Sequence, residues 1–242
     1  MLKALHNSLL SLIYPQECRV CNGAVETHED GVACADCWAA TRIFTGCEML
    51  CDKCGAFFGD EAAPVPVRCH KCDEHHYDKA TAVGIYEKAL AASIIDLKAK
   101  PLLAHRLREA ITQTLKRAAH LNADMIVPIP LSKHRKLERG FNQAEVIAAE
   151  LSRVSGMPVD ASSLARKVHT PIHRMGMDQK ARELTVNNAF EVTRPKLMSG
   201  RNVLLVDDVF TSGATASSCA KVLKKNGAQS VRVFTLARAV MR

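Results

Sequence analysis

The stretch NVLLVDDVFTSGAT, residues 202–215, decides how the chain is read. Val203, Leu204, Leu205 and Val206 form an apolar run without polar alternation, the pattern of a strand covered on both faces in a parallel sheet. The run ends in two acids, Asp207 and Asp208. VFTSGAT then sets Thr211, Ser212 and Thr215 around Gly213, and ATASSCAKVLKKNG continues as a helical pattern closing at Gly227. Ligands of open parallel sheets bind beyond the carboxyl ends of the strands. A helix starting there offers free backbone N–H groups and the positive end of its dipole, which suits a phosphate. Gly213 lets the backbone approach closely. Two carboxylates accept hydrogen bonds from a sugar diol while the loop holds a phosphate on the same sugar. A helix cap alone needs one acceptor, not two acids and three hydroxyls. Neither G-x-x-x-x-G-K-[ST] nor G-x-G-x-x-G occurs, so a P-loop NTPase is excluded and a dinucleotide site has no fingerprint.

TAVGIY (81–86), DMIVPIP (124–130) and SVRVFTLAR (230–238) read as strands. Residues 88–99 and 102–120 read as helices divided by Pro101, and FNQAEVIAAELSRVS (141–155) as a helix closed by Gly156 and Pro158. The polar stretch from Arg166 to Val186 reads as a mobile loop with room for a short helix. Strands alternating with helices predict an α/β fold, a parallel sheet flanked by helices.

Eight of the ten cysteines form four C-x-x-C pairs: Cys18/Cys21, Cys34/Cys37, Cys51/Cys54 and Cys69/Cys72. The gaps between pairs are 12, 13 and 14 residues. A two-residue spacer turns both sulfurs toward one tetrahedral ion, so four knuckles predict two structural Zn²⁺ sites without an open coordination position. The gaps suit hairpins and favour sequential pairing into two ribbons; interleaved cross-bracing is the alternative. Cys47 and Cys219 read as inert thiols, and His70, His75 and His76 as exposed polar residues. The start, MLKALHNSLLSLIYP, spaces Leu2, Leu5, Leu9 and Leu12 as a short amphipathic helix. The expected organisation is residues 1–77 as this helix with a small double zinc-ribbon module, and residues 78–242 as the α/β domain.

The formal charge of +8 counts the cysteines as neutral; two Zn²⁺ on eight thiolates bring it to about +4. Between Lys98 and Arg139 there are ten Lys/Arg against three Asp/Glu. Such a stretch attracts phosphates or nucleic acid, with Lys98, Arg135, Lys136 and Arg139 as candidate contacts to single-stranded DNA. Aromatic residues are sparse, so base stacking falls to residues such as Phe57, Phe58 or Phe141. No apolar run approaches the length of a bilayer span and no export signal is visible, which predicts a cytoplasmic protein without a membrane span.

VLLVDDVFTSGAT closely resembles the PRPP-binding motif of type I phosphoribosyltransferases. The resemblance implies a type I phosphoribosyltransferase-like sheet. It implies a catalytic centre where Asp207 and Asp208 meet the ribose 2′- and 3′-hydroxyls, and a phosphate cradle of Thr211, Ser212, Gly213, Ala214 and Thr215. It also implies Mg²⁺ accompanying PRPP. IVPIPLSK (126–133) looks like the pyrophosphate loop of amidophosphoribosyltransferases, which points to Pro130, Lys133 and Arg139, with Arg135 beside them. Arg174 or Arg182 would serve a closing loop. Four knuckles, VPIPL, RKLERGFNQA (135–144) and the PRPP motif together are similar to the ComF family and to GntX-type proteins. The Leu97–Lys98 pair, Thr170, Pro171, Arg182 and Asn188 to Phe190 also fit, while His173 stands near where the family pattern has Gln. That resemblance implies a role in DNA uptake and natural competence, handling single-stranded DNA alongside other uptake proteins such as a helicase. Two other functions stay open: phosphoribosyl transfer to a small acceptor such as a nucleobase, and a non-enzymatic adaptor regulated by PRPP. Product formation separates the first of these from the rest.

Overall fold

The computed structural model describes residues 16–61, 63–167 and 189–240. The expected N-terminal helix, and the polar stretch from residue 168 with Thr170, Pro171, His173, Arg174 and Arg182, lie outside them.

The core is a four-stranded, all-parallel sheet in the order β3-β8-β7-β4. Its strands are β3 (Lys79–Ile85), β4 (Met125–Pro128), β7 (Asn202–Phe210) and β8 (Ser230–Arg238). β7 and β8 are central because their apolar runs have no solvent face: Val203 to Val206 are fully buried. Their side chains alternate between two hydrophobic layers. Leu204 and Val206 enter one, with helices α2 (Lys88–Ala99), α3 (His105–Arg117) and α5 (Gln143–Ser155). Val203 and Leu205 enter the other, with α7 (Ala214–Lys225). α5 begins where the Asn142 side chain accepts from Ala144 N at 3.0 Å and ends at Gly156, whose φ is 76°.

Around this core lie α1 (Ala35–Ala39), the short basic helix α4 (Lys133–Arg139) and α6 (Pro195–Met198). Two antiparallel strand pairs complete the fold, β1 (Met49–Leu50) with β2 (Phe57–Gly59), and β5 (Leu164–Arg166) with β6 (Phe190–Val192).

Three expectations need correction. β7 runs to Phe210 rather than ending at Asp208, because Val209 and Phe210 keep pairing with Ala237 and Arg238 of β8. α3 begins at His105 and ends at Arg117, after which Ala119–Leu121 form a tight 3-10 turn. Arg166, placed at the start of the loop, is a strand residue.

The cysteines are embedded in both layers of the sheet. Cys18, Cys34 and Cys37 belong to the layer of α2, α3 and α5; Cys51, Cys54 and Cys72 belong to that of α7. One close approach seats the first ribbon on the edge strand: Phe44 N donates to Val83 O and Ile85 N to Arg42 O, both at 2.9 Å. Gly84 permits it, since a β-carbon there would collide with the Arg42 carbonyl.

Candidate functional site

Both aspartates lie on β7 toward its carboxyl end, beside β4. Asp208 is buried. Its Oδ1 accepts from Val209 N at 2.9 Å, and its Oδ2 takes the Lys98 ammonium at 3.0 Å and Gln143 Nε2 at 3.5 Å. Asp207 Oδ1 accepts from Asp208 N at 2.9 Å. Burial and the neighbouring Asp208 charge push the Asp207 carboxyl up to about 8, far above a free aspartate. Its side chain is half-buried. The Cys219 thiol beneath it is pushed well up by burial and by that same carboxylate.

Beyond β7 the chain turns at Gly213, the N-cap of α7, with φ at 85°. A β-carbon there would press into the Phe210 and His75 rings at 2.7 and 2.9 Å. Gly213 has no side chain with which to cap this helix, and Ser212 Oγ accepts the Ala214 N–H at 3.3 Å. Thr211, Ser212, Ala214 and Thr215 are exposed around this turn. A small hollow of about 30 Å³ lies between Asp207, Thr211, Gly213, Thr215 and Thr235.

On the opposite side, β4 leads through the half-buried Pro130 to Ser132, whose Oγ caps α4 by accepting from Arg135 N at 3.3 Å. Lys133, Arg135 and Lys136 are exposed, and Lys136 Nζ lies 3.7 Å from a Glu145 oxygen. Arg139 closes α4 and donates to Gln143 Oε1 at 3.0 Å, giving the continuous line Arg139–Gln143–Asp208–Lys98. Asn142 fixes the turn by donating to Ile129 O at 3.0 Å. Lys98, in the last turn of α2, therefore sits against Asp208, on a different helix from Arg135 and Lys136 of α4. Gln143 and Asn142 are functional supports that the sequence pattern does not single out. Gln143 meets Asp208 only once β4 and β7 pair, whereas Asn142 reaches back 13 residues to Ile129 within one segment.

The cysteines fall into two groups, Cys18/Cys21/Cys34/Cys37 and Cys51/Cys54/Cys69/Cys72, so pairing is sequential. Within each, all ligand atoms lie within 4.8 Å of one another. Cys21–Cys34, Cys51–Cys72 and Cys54–Cys69 sulfurs are 3.7, 3.6 and 3.4 Å apart. Tetrahedral Zn–S bonds of about 2.3 Å put sulfurs roughly 3.8 Å apart, so both groups fit structural zinc. Burial raises the Cys18 thiol, but backbone N–H groups of Cys34, Cys21 and Val20 outweigh it and bring it to about 6. Cys51 likewise falls to about 6 through the N–H groups of Cys54, Cys69 and Lys53. Burial and neighbouring thiolates push Cys37 and Cys72 up, a repulsion that a divalent cation relieves. His75 is not the exposed residue expected: its ring packs on Tyr77 and against Gly213, and its Nδ1 lies 2.6 Å from the Tyr77 hydroxyl.

Residues 9–73 match the double zinc ribbon domain, and residues 94–240, more than half the chain, match the phosphoribosyl transferase domain. The chain is 31% identical to Competence protein F of Haemophilus influenzae over 236 residues, covering 92% of this chain and 96% of that protein. The chain belongs to the ComF family. DNA utilization protein YhgH of Escherichia coli is 28% identical over 237 residues, covering 95% of this chain and all of that protein. Competence protein ComFC of Bacillus subtilis is 36% identical over 120 residues, 48% of this ComF-type chain and 45% of that one. Among solved structures, glutamine PRPP amidotransferase of Bacillus subtilis, complexed with ADP and GMP, matches 54% of this chain and 26% of that one, at 20% identity and a TM-score of 0.38. A purine phosphoribosyltransferase of Pyrococcus horikoshii matches 55% and 70%, at 17% identity and a TM-score of 0.33. Among the described residues of this ComF-type chain, no helix is long and apolar enough to cross a membrane.

Proposed function

We propose that this ComF-type protein binds PRPP as its Mg²⁺ complex at the carboxylate pair, and handles single-stranded DNA during DNA uptake. The observation that carries the reading is the placement of Asp207 and Asp208 between the N-terminus of α7 and the Lys98–Gln143–Arg139 line. In this reading the aspartates accept from the ribose diol, and Thr211, Ser212, Gly213, Ala214 and Thr215 hold the 5-phosphate. Pro130, Lys133 and Arg139 face the pyrophosphate, with Lys98 neutralising charge beside Asp208. The names of the relatives, competence and DNA utilization, support the role in DNA uptake, and the exposed cations of α4 supply a track for a phosphate backbone. The division into a zinc module at 1–77 and a phosphoribosyltransferase-like domain at 78–242, and a place in the cytoplasm, belong to the same proposal.

Half-ligands test the site. Pyrophosphate binding is expected to weaken in Lys133→Ala with Arg139→Ala, while ribose 5-phosphate binding persists; Asp207→Asn with Asp208→Asn does the reverse. Equal response of both ligands to both variants contradicts the assignment. For DNA, Arg135→Glu with Lys136→Glu is expected to lower single-strand affinity about tenfold at low salt and flatten its salt dependence. Unchanged affinity removes α4 from the interface.

A further inference from the structure

The two cysteine groups make different contacts outside themselves. Around the first, contacts run to helices: Arg19 to Asp96 at 3.0 Å, Asp30 to Arg106 at 3.2 Å, and Thr41 Oγ1 accepting from Ala89 N at 3.1 Å. The second meets the anion loop through Arg238, the last residue of β8, which is 3% exposed. Arg238 Nη1 donates to the carbonyl of Phe210 at 3.3 Å and to that of Thr211. Its Nη2 lies 3.8 Å from Cys54 Sγ, and its guanidinium carbon 4.4 Å from the Phe210 ring centre. Its Nε has no hydrogen-bond partner, and none of the ion pairs among the described residues includes Arg238.

A buried guanidinium without a carboxylate needs another counter-charge. Four thiolates on one Zn²⁺ carry a net charge of about −2 and supply it. The chain just after this group reinforces the link. The His75 ring abuts Gly213, His76 N donates to Ser217 Oγ at 3.1 Å, and Lys53 Nζ donates to His75 O at 2.7 Å.

We propose that the second cysteine centre is part of the anion site: its thiolates are the counter-charge of Arg238, and Arg238 holds the Phe210–Gly213 turn in its ligand-binding shape. The first centre has no such role. Arg238 is a positioning residue, and loss of the second metal loosens the loop. The link to PRPP rests on the function proposed above; the link between metal centre and loop does not.

Cadmium replacing zinc in the whole protein gives one NMR signal per centre, assigned through coupling to cysteine β-protons. PRPP with Mg²⁺ is expected to shift the signal of the Cys51–Cys72 centre and leave that of the Cys18–Cys37 centre in place, because coupling between sites is reciprocal. In zinc-loaded protein, Arg238→Met and Arg238→Gln are expected to keep both metals while amide exchange across residues 210–217 accelerates about tenfold or more. PRPP affinity falls by a similar factor. Shifts in both signals, or unchanged exchange in both variants, overturn the proposal. If the wild-type protein does not bind PRPP, the function above is contradicted, and the exchange comparison alone decides the clamp.

Discussion

Asp207 carries a cost to the fold. Burial and the adjacent Asp208 raise its carboxyl from 3.8 to about 8. A carboxyl raised in the folded state stabilises it while protonated, fully so below the unfolded value, and the contribution is lost as pH rises through the folded value. Stability from this residue thus falls between pH of about 4 and about 8. Asp207→Asn removes the cost of ionisation and is expected to stabilise the protein at pH 7 by roughly 1–3 kcal/mol, with no gain below pH 4. Urea unfolding at both pH values checks this; a destabilised variant at pH 7 contradicts it. The same change is expected to abolish binding at the diol, the trade of stability for function common at active sites.

At the scale of elements, the first ribbon depends on one missing β-carbon. Gly84→Ala places a methyl against the Arg42 carbonyl and is expected to cost roughly 2 kcal/mol or more by forcing ribbon and edge strand apart. Thermal unfolding reads the loss, and an unchanged midpoint contradicts the docking. Elements carrying their own signal were legible: the apolar run of β7, the SVRVFTLAR strand matching β8, and the cysteine knuckles. The end of β7 was not, because Asp207 and Asp208 look like a terminus until β8 is seen pairing beyond them. The pairing of β5 with β6 was not legible either, since its partners lie on opposite sides of a long polar stretch. The carboxylate pair and the glycine turn could be found from sequence. Their support by Lys98, Gln143, Arg238 and His75 could not, since each contact joins residues brought together only by the fold.

At the scale of the molecule, the zinc module is not an appendage. Each cysteine group shares a hydrophobic layer with a different face of the sheet, so the ribbons hold the phosphoribosyltransferase-like core from both sides. Metal analysis is expected to find two zinc ions per chain, and a strong chelator to lower the unfolding midpoint of the whole chain in one transition. Two separate transitions, with the α/β part unmoved, contradict this shared core. The proposed PRPP site at the end of β7 stands or falls by one experiment. Calorimetry of the zinc-loaded protein with PRPP in Mg²⁺, beside the Asp207→Asn, Asp208→Asn double variant, tests it most directly. Binding to the wild type that vanishes in a folded, zinc-replete double variant is the predicted result; equal affinity in both, or binding by neither, contradicts the account.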